Sequence, residues 1–340
     1  MKKIISSLLL LLIVIVLFFS WKFFGSATTF SESNKYLYIH TGDANKAAVL
    51  SSLKDSGFIK SIGLFEWMAG KLNVWERLRP GKYEIARGSS LFSLTRKLRN
   101  GSQTPVNLII TKLRTKNDLA ALISRKFETD SGTVLQYLTN NDSLKKFGLD
   151  TNTIMTAVFP NTYSLLWNTG PQIIFKKLNE QRKKFWTAER KQKAQLLGLT
   201  PEQVYTMASI VEEETIRHDE KPTIASVYLN RLKKDMYLGA DPTVKFAVGD
   251  FSLKRILFVH INSTASSPYN TYKNKGLPPG PICTASETTI DAVLNPKQTD
   301  YLFFCAKPNG NGYHAFATTD TEHAQNAKAY QQWLNSLNIQ

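Results

Sequence analysis

The sequence predicts an α+β protein: an N-terminal transmembrane helix, a small α/β module, then a mixed helical and β domain. Three observations predict it. The chain runs apolar from Ile4 to Phe24, about the length of a bilayer-spanning helix. Residues 44–101 alternate helix patterns with a turn and a short strand at Arg79-Pro-Gly-Lys-Tyr-Glu-Ile85. Beyond them, apolar positions recur at helical steps, broken by short strand-like runs. The expected domains are an anchor over 1–24, a linker with a strand over 25–43, the module over 44–103 and a main domain over 104–340.

Lys2 and Lys3 precede the apolar run, which only Ser6, Ser7, Ser20 and Lys22 interrupt. The positive-inside rule leaves the N-terminus in the cytoplasm. Trp21 suits the far interface, where Lys22 can snorkel. A cleaved signal peptide is the competing reading, although Gly25-Ser26-Ala27 is a poor cleavage site. The expectation is a retained single-pass span, with the remainder of the chain exported. A net charge of +16 and a pI near 9.6 then point to anionic lipid headgroups or an anionic wall polymer. Export argues against nucleic acid. Cys283 and Cys305 are the only cysteines. Export permits a disulfide, but Cys305 lies in the apolar run Tyr301–Cys305 and reads as a buried free thiol. No His/Cys spacing suggests a metal, and no cofactor is expected.

Tyr36–Ile39 is strand-like, and Asn45–Ser56 and Ile62–Val74 read as helices. Ser89–Leu98 is a helix capped by Ser89 or Ser90 and stopped by Asn100-Gly101. Val106–Ile110 opens the main domain as a strand. Asn117–Phe127 and Ser131–Leu138 are amphipathic, and Phe159-Pro-Asn-Thr-Tyr163 is an aromatic turn. Gln172–Leu197 is a long basic helix with a break at Thr187. Later come Asp241-Pro-Thr243, the loop Ser267–Pro281 and a hairpin of Tyr301–Cys305 with Tyr313–Phe316 across the turn 309–312. Residues 320–337 form a closing helix.

Between these lies the most informative segment, Met207-Ala-Ser-Ile-Val-Glu-Glu-Glu-Thr215. Thr200-Pro201-Glu202-Gln203 starts a helix with a capping box. Val204, Met207, Ala208 and Val211 form one buried stripe at three- and four-residue steps. Glu213 points opposite it and should be solvated. Glu212 and Glu214 border it, and Glu214 lies on the more apolar border beside Met207 and Ile210. A carboxyl group losing hydration there rises in pKa, as a general acid near neutral pH requires. Glu212 is the fallback acid; otherwise it bonds or ion-pairs, with Arg231 as the candidate. Three carboxylates at a helix C-terminus oppose the macrodipole, so helix stability does not account for them. Pro222–Met236 is a second amphipathic helix with Ile224, Val227, Tyr228 and Leu232 buried and Asn230-Arg231 on its less apolar side. The loop around Tyr269-Asn-Thr-Tyr272 mixes aromatic, amide and hydroxyl groups, as saccharide sites do. His314, between Tyr313 and aromatic Phe316, is a further binding candidate.

With these residues assembled, the chain resembles the endolytic murein transglycosylase family, also called YceG-like. The likeness lies in Ala208-Ser-Ile-Val-Glu-x-Glu-Thr215, Val227-Tyr-Leu-Asn-Arg-Leu232 and Asp241-Pro-Thr-Val244. It continues through Tyr269-Asn-Thr-Tyr272, Gly276-Leu-Pro-Pro-Gly280 and His-x-Phe at 314–316. The resemblance implies a membrane-anchored lyase of peptidoglycan. Such an enzyme cleaves MurNAc-β-1,4-GlcNAc bonds inside glycan strands, leaves 1,6-anhydro ends and limits nascent strand length beside peptidoglycan synthases. It implies that the 44–103 module is LysM-like and that Glu214 is catalytic. Asn230, Arg231, Asp241, Thr243, Tyr269, Asn270, Thr271, Tyr272 and His314 are the substrate-binding candidates. Many members carry lysine where this chain has Glu213, a departure that should raise the pKa of Glu214. A water-using muramidase and a non-catalytic wall-binding scaffold are the alternatives.

Overall fold

The computed structural model describes residues 2–308 and 311–336. The chain forms two compact units. The first takes residues up to Leu108 with Ser124–Asp130 and Ser164–Gly170; the second takes Ile109–Ile123, Ser131–Tyr163 and the chain from Pro171 on.

The first unit begins with α1 (Lys2–Phe24). Its Ile4–Phe24 part is long and apolar enough to cross a membrane. There follow β1 (Asn34–Ile39), α2 (Lys46–Asp55), α3 (Ile62–Lys71), α4 (Val74–Arg77), β2 (Gly81–Ala86) and α5 (Leu91–Arg99). β1 and β2 pair antiparallel, with Leu37 opposite Tyr83 and Ile39 opposite Gly81. Strand alternation turns Leu37, Ile39, Tyr83 and Ile85 inward. They pack on Val49 and Leu53 of α2, Phe65 and Met68 of α3, and Leu91, Leu94 and Leu98 of α5. Asn45, Ser61 and Ser90 cap their helices, so Ser90 is the cap among the two serines. Gly101 at φ +61 stops α5, accepting a conformation that a side chain would strain. The Ser/Thr-rich stretch after α1 is part of this unit: Thr28 bridges Ile59, and Ala27 and Thr28 are buried.

β3 (Val106–Ile110), α6 (Lys116–Ser124), α7 (Ser131–Leu138), α8 (Asn141–Lys145) and β4 (Asn161–Leu165) come next, with β3 paired to β4. The long basic helix divides into α9 (Pro171–Phe185) and α10 (Ala188–Leu196), because Thr187 turns out of helical geometry and caps α10. α11 (Pro201–Glu214) carries the expected capping box at Thr200 and Gln203. α12 (Lys221–Lys233), α13 (Asp241–Val248), α14 (Phe258–Ser263) and α15 (Glu287–Leu294) follow. The hairpin β5 (Phe303–Ala306) and β6 (His314–Ala317) pairs Phe303 with Ala317 and Ala306 with His314. α16 (Asp320–Ser336) closes the described chain. Within the expected turn 309–312, Asn309 and Gly310 lie outside the described residues.

α11 is the axis of the second unit. Every residue from Val204 to Val211 is buried, with α10, α12, α13 and α15 packed around the helix. The sequence pattern predicts one buried stripe; the structure buries the helix all round from Val204 to Val211, between a partly exposed first turn and its last turn. Phe159 of the aromatic turn is a core residue, edge-on to Tyr205 at 5.4 Å. Both cysteines are free; Cys283 is the buried one, while Cys305 is half-buried.

Candidate active site

Thr215 leaves helical geometry at φ −147°, ψ 142°, so α11 ends on its three carboxylates. Each has a different environment. Glu212 accepts from Ser286 Oγ at 2.9 Å and from Thr289 Oγ1, and meets Lys221 Nζ at 3.1 Å. Burial alone would push its carboxyl up. The Thr289 bond, the Lys221 charge and the Ser286 bond outweigh burial and hold it below its ordinary value. A carboxylate fixed in the ionised form is a poor proton donor. Arg231, the partner suggested by sequence, bonds elsewhere; the buried Lys221 takes that place.

Glu213 corrects a second expectation. Its side chain is only 14% exposed, with Lys112 Nζ at 2.7 Å and Arg114 Nη2 at 3.3 Å. The face expected to meet solvent is covered by the segment after β3. Thr284 fixes that segment through Leu113 N and O, at 3.0 and 2.7 Å.

Among the described residues, none makes an ion pair with Glu214. Tyr228 on α12 donates its hydroxyl to Glu214 Oε1 at 2.5 Å. Burial pushes the carboxyl up to about 7, against the lowering effect of that bond. Asp241 and Glu213 add negative potential, which the Arg231 charge opposes. The residue as a whole remains partly exposed, while its carboxyl is shielded enough for burial to dominate. Such a group exchanges a proton near neutral pH.

Tyr228 and Arg231 stand one helical turn apart on α12 and so share a face. The Arg231 guanidinium donates to Leu302 O and Leu238 O, both at 2.6 Å. Phe303 lies 5.3 Å from it. Gly239 at φ +57 makes room: a Cβ there would stand 3.3 Å from Arg231 Nη1 and 3.7 Å from the Tyr272 ring. Tyr272 in turn donates to Asp241 Oδ1 at 2.6 Å, and Asp241 is exposed at the start of α13. Burial and the Asp241 bond raise the Tyr272 phenol. Glu214, Tyr228, Arg231, Asp241 and Tyr272 therefore form one cluster.

The remaining predicted residues are placed differently. Asn230 donates to Thr299 O and Tyr301 O at 2.7 and 3.0 Å, tying α12 to the segment before β5. Thr243, Asn270 and Thr271 are buried. Thr243 and Thr271 share a hydroxyl bond of 2.8 Å, and Asn270 donates to Ile261 O and Thr264 Oγ1. Their polar atoms are spent on the loop itself. Tyr269 packs on Phe246 with centroids 4.7 Å apart. His314 is held by Glu220, which accepts from His314 N and lies 2.9 Å from Nδ1. The Phe304 ring meets both Tyr228 and His314 edge-on, at 5.9 and 5.4 Å.

The sequence gives Tyr228 a place in the buried stripe of α12 but no part in the site, and it singles out neither Glu220 nor Gly239. For Tyr228 a signal existed, since a phenol in a buried stripe needs a hydrogen-bond partner. Glu220 and Gly239 gave none.

The YceG-like family matches residues 37–329. An endolytic murein transglycosylase of Bacillus subtilis is 32% identical over 86% of this chain and 83% of its own length. One from Streptococcus pneumoniae is 25% identical over 87% of this chain and 58% of its own length. A crystal structure of a YceG-like protein from Listeria monocytogenes is 26% identical, with a TM-score of 0.58, covering 87% of this chain and 99% of that one. Extent of match and identity together make this chain a member of the YceG-like family.

Proposed function

We propose that this protein is an endolytic murein transglycosylase, a lyase that cuts MurNAc-β-1,4-GlcNAc bonds within peptidoglycan strands. One observation carries the reading. Of three adjacent carboxyls, only Glu214 is lifted to about 7, while Glu212 and Glu213 are committed to cations. The B. subtilis relative bears the name of this activity.

One acid suffices for the reaction. Protonated Glu214 donates to the glycosidic oxygen as the bond from C1 of MurNAc breaks, and the leaving GlcNAc keeps that proton at O4. Tyr228 steadies the carboxylate that remains. The sugar's own C6 hydroxyl then bonds to C1 and returns its proton to Glu214. Water is not consumed, and a 1,6-anhydro end results. The 2-acetamido group of the sugar stabilises the cationic carbon, so no second carboxylate need attack. A positioned acid of this kind contributes about two to four orders of magnitude in rate. Arg231, Asp241 and Tyr272 line the approach and bind the strand through its hydroxyls and amides.

α1 is a retained single-pass anchor, with the N-terminus in the cytoplasm and the catalytic domain facing the wall. Residues 44–103 are a LysM-like module and 104–340 the catalytic domain. Cutting nascent strands limits their length, and peptidoglycan synthases are the neighbours this role requires.

Mass spectrometry of purified peptidoglycan digested with wild type and with Glu214→Gln tests the reading. Anhydro ends from wild type alone support it. Reducing ends heavier by one water would make the protein a muramidase. Release of no fragments by either protein, with equal binding, would make it a scaffold.

A further inference from the structure

α1 stays apolar up to Phe24, and folded structure follows at once. Gly25 N bonds Trp21 O, Ala27 N bonds Ser89 O, and Lys60 N bonds Ala27 O. The first unit also packs on the last turn of α1. Phe23 stacks on Trp67 with ring centroids 5.7 Å apart, and Phe24 lies 5.1 Å from Phe92. The apolar part of α1 has 21 residues. At about 1.5 Å per residue it is about as long as the hydrocarbon layer is thick. When α1 spans a bilayer, its last turn therefore sits at the headgroup boundary. Trp67 and Phe92, in ring contact with that turn, are held at the same depth.

The chemistry of this edge suits that depth. Trp67 is 55% exposed, and tryptophan favours the interface, where its ring meets acyl chains and its N–H meets water. One turn further along α3 stands Lys71. A cleft of about 540 Å³ beside Trp67 is lined by Lys71, Trp75, Lys46 and Glu66. Glu66 is already paired with Lys46 at 2.7 Å, which leaves the Lys71 charge for a ligand.

We infer that this edge of the first unit is a membrane contact. Trp67 and Phe92 enter the boundary between headgroups and acyl chains, and Lys71 meets an anionic phospholipid headgroup in the cleft. The inference rests on α1 being a retained span. The occupant is lipid because the edge is continuous with the anchor and carries the opposite charge to anionic headgroups.

The test uses the full chain in lipid nanodiscs. The tryptophan emission of wild type minus that of Trp67→Phe isolates Trp67; the same subtraction with Trp21→Phe isolates Trp21. Phosphatidylcholine brominated near the glycerol end of its acyl chains should quench both. Replacing about a third of the phosphatidylcholine by phosphatidylglycerol should lower acrylamide quenching of Trp67 roughly twofold or more. Lys71→Glu should remove that lipid dependence. If bromolipid quenches Trp21 and not Trp67, the inference falls while the anchor stands. If it quenches neither, the anchor reading fails and this inference with it. Shielding of Trp67 by soluble glycan fragments, and not by lipid, would make the edge a wall contact and overturn the proposal.

Discussion

Tyr228 Oη and Glu214 Oε1 lie 2.5 Å apart, joining the last residue of α11 to the middle of α12, two helices that the sequence separates by a short connection. The bond sets both the direction of the Glu214 carboxyl and the ease with which it ionises. Removing the hydroxyl takes away a lowering influence, so Tyr228→Phe moves the pKa of Glu214 further up. With protonated Glu214 as the proposed acid, activity should persist below that pKa and fall as pH rises through it. The basic limb of the kcat/KM–pH profile should move to higher pH in the variant. The maximal rate should drop about ten- to a hundredfold, the worth of a hydrogen bond to a charged group. An unmoved basic limb would mean that the bond is structural only.

Glu213→Gln should act in the opposite direction. Glu213 contributes negative potential that raises Glu214, and its removal leaves Lys112 and Arg114 close by. The basic limb should shift to lower pH. A pH–rate series on the two single variants checks the contrast, and shifts of the same sign would refute the electrostatic account of the site.

Glu212→Ala should damage the fold. It leaves Lys221, whose side chain is 3% exposed, without its carboxylate in the interior. Breaking one side of a buried pair costs about 3–5 kcal/mol. Urea titration of the detergent-solubilised chain measures this. Glu212→Gln, which keeps hydrogen bonding to Ser286 and Thr289 possible, should retain partial activity.

Stability should depend on pH through Glu214. Its folded pKa of about 7 lies above the ordinary 4.5, so the folded state holds this proton more tightly than the unfolded chain does. That contribution is complete below the unfolded pKa and is lost as pH climbs through 7. The loss is on the order of 1–3 kcal/mol. Glu214→Gln cannot ionise, so the urea midpoint should gain on wild type between about pH 5 and about pH 8. Equal pH slopes for the two proteins would show that Glu214 does not hold its proton.

Much of this was legible locally. The Thr200 capping box, the break at Thr187 and the stop at Gly101 are decided by residues within a few positions of one another, so sequence specifies them. The asymmetry between Glu212 and Glu214 was partly legible, because helical periodicity sets which border each occupies. The surroundings of Glu213 were not. Its cover comes from Lys112 and Arg114, about a hundred residues earlier in the chain, and no periodicity within α11 carries that information. The binding loop misled for a related reason. Amides and hydroxyls such as Asn270, Thr271 and Thr243 look the same in sequence whether they face a ligand or one another, and here they bond internally.

By itself the sequence determined the apolar first helix, the helix that carries the three carboxylates and the more apolar border on which Glu214 stands, since spacing and apolar content fix these within one segment. Only tertiary structure decided which carboxylates are neutralised, that Tyr228 serves the acid, and that Gly239 makes room for Arg231 beside Tyr272. Those outcomes depend on packing between distant segments, where burial and the nearest charge, and not residue type, set whether a carboxyl keeps its proton.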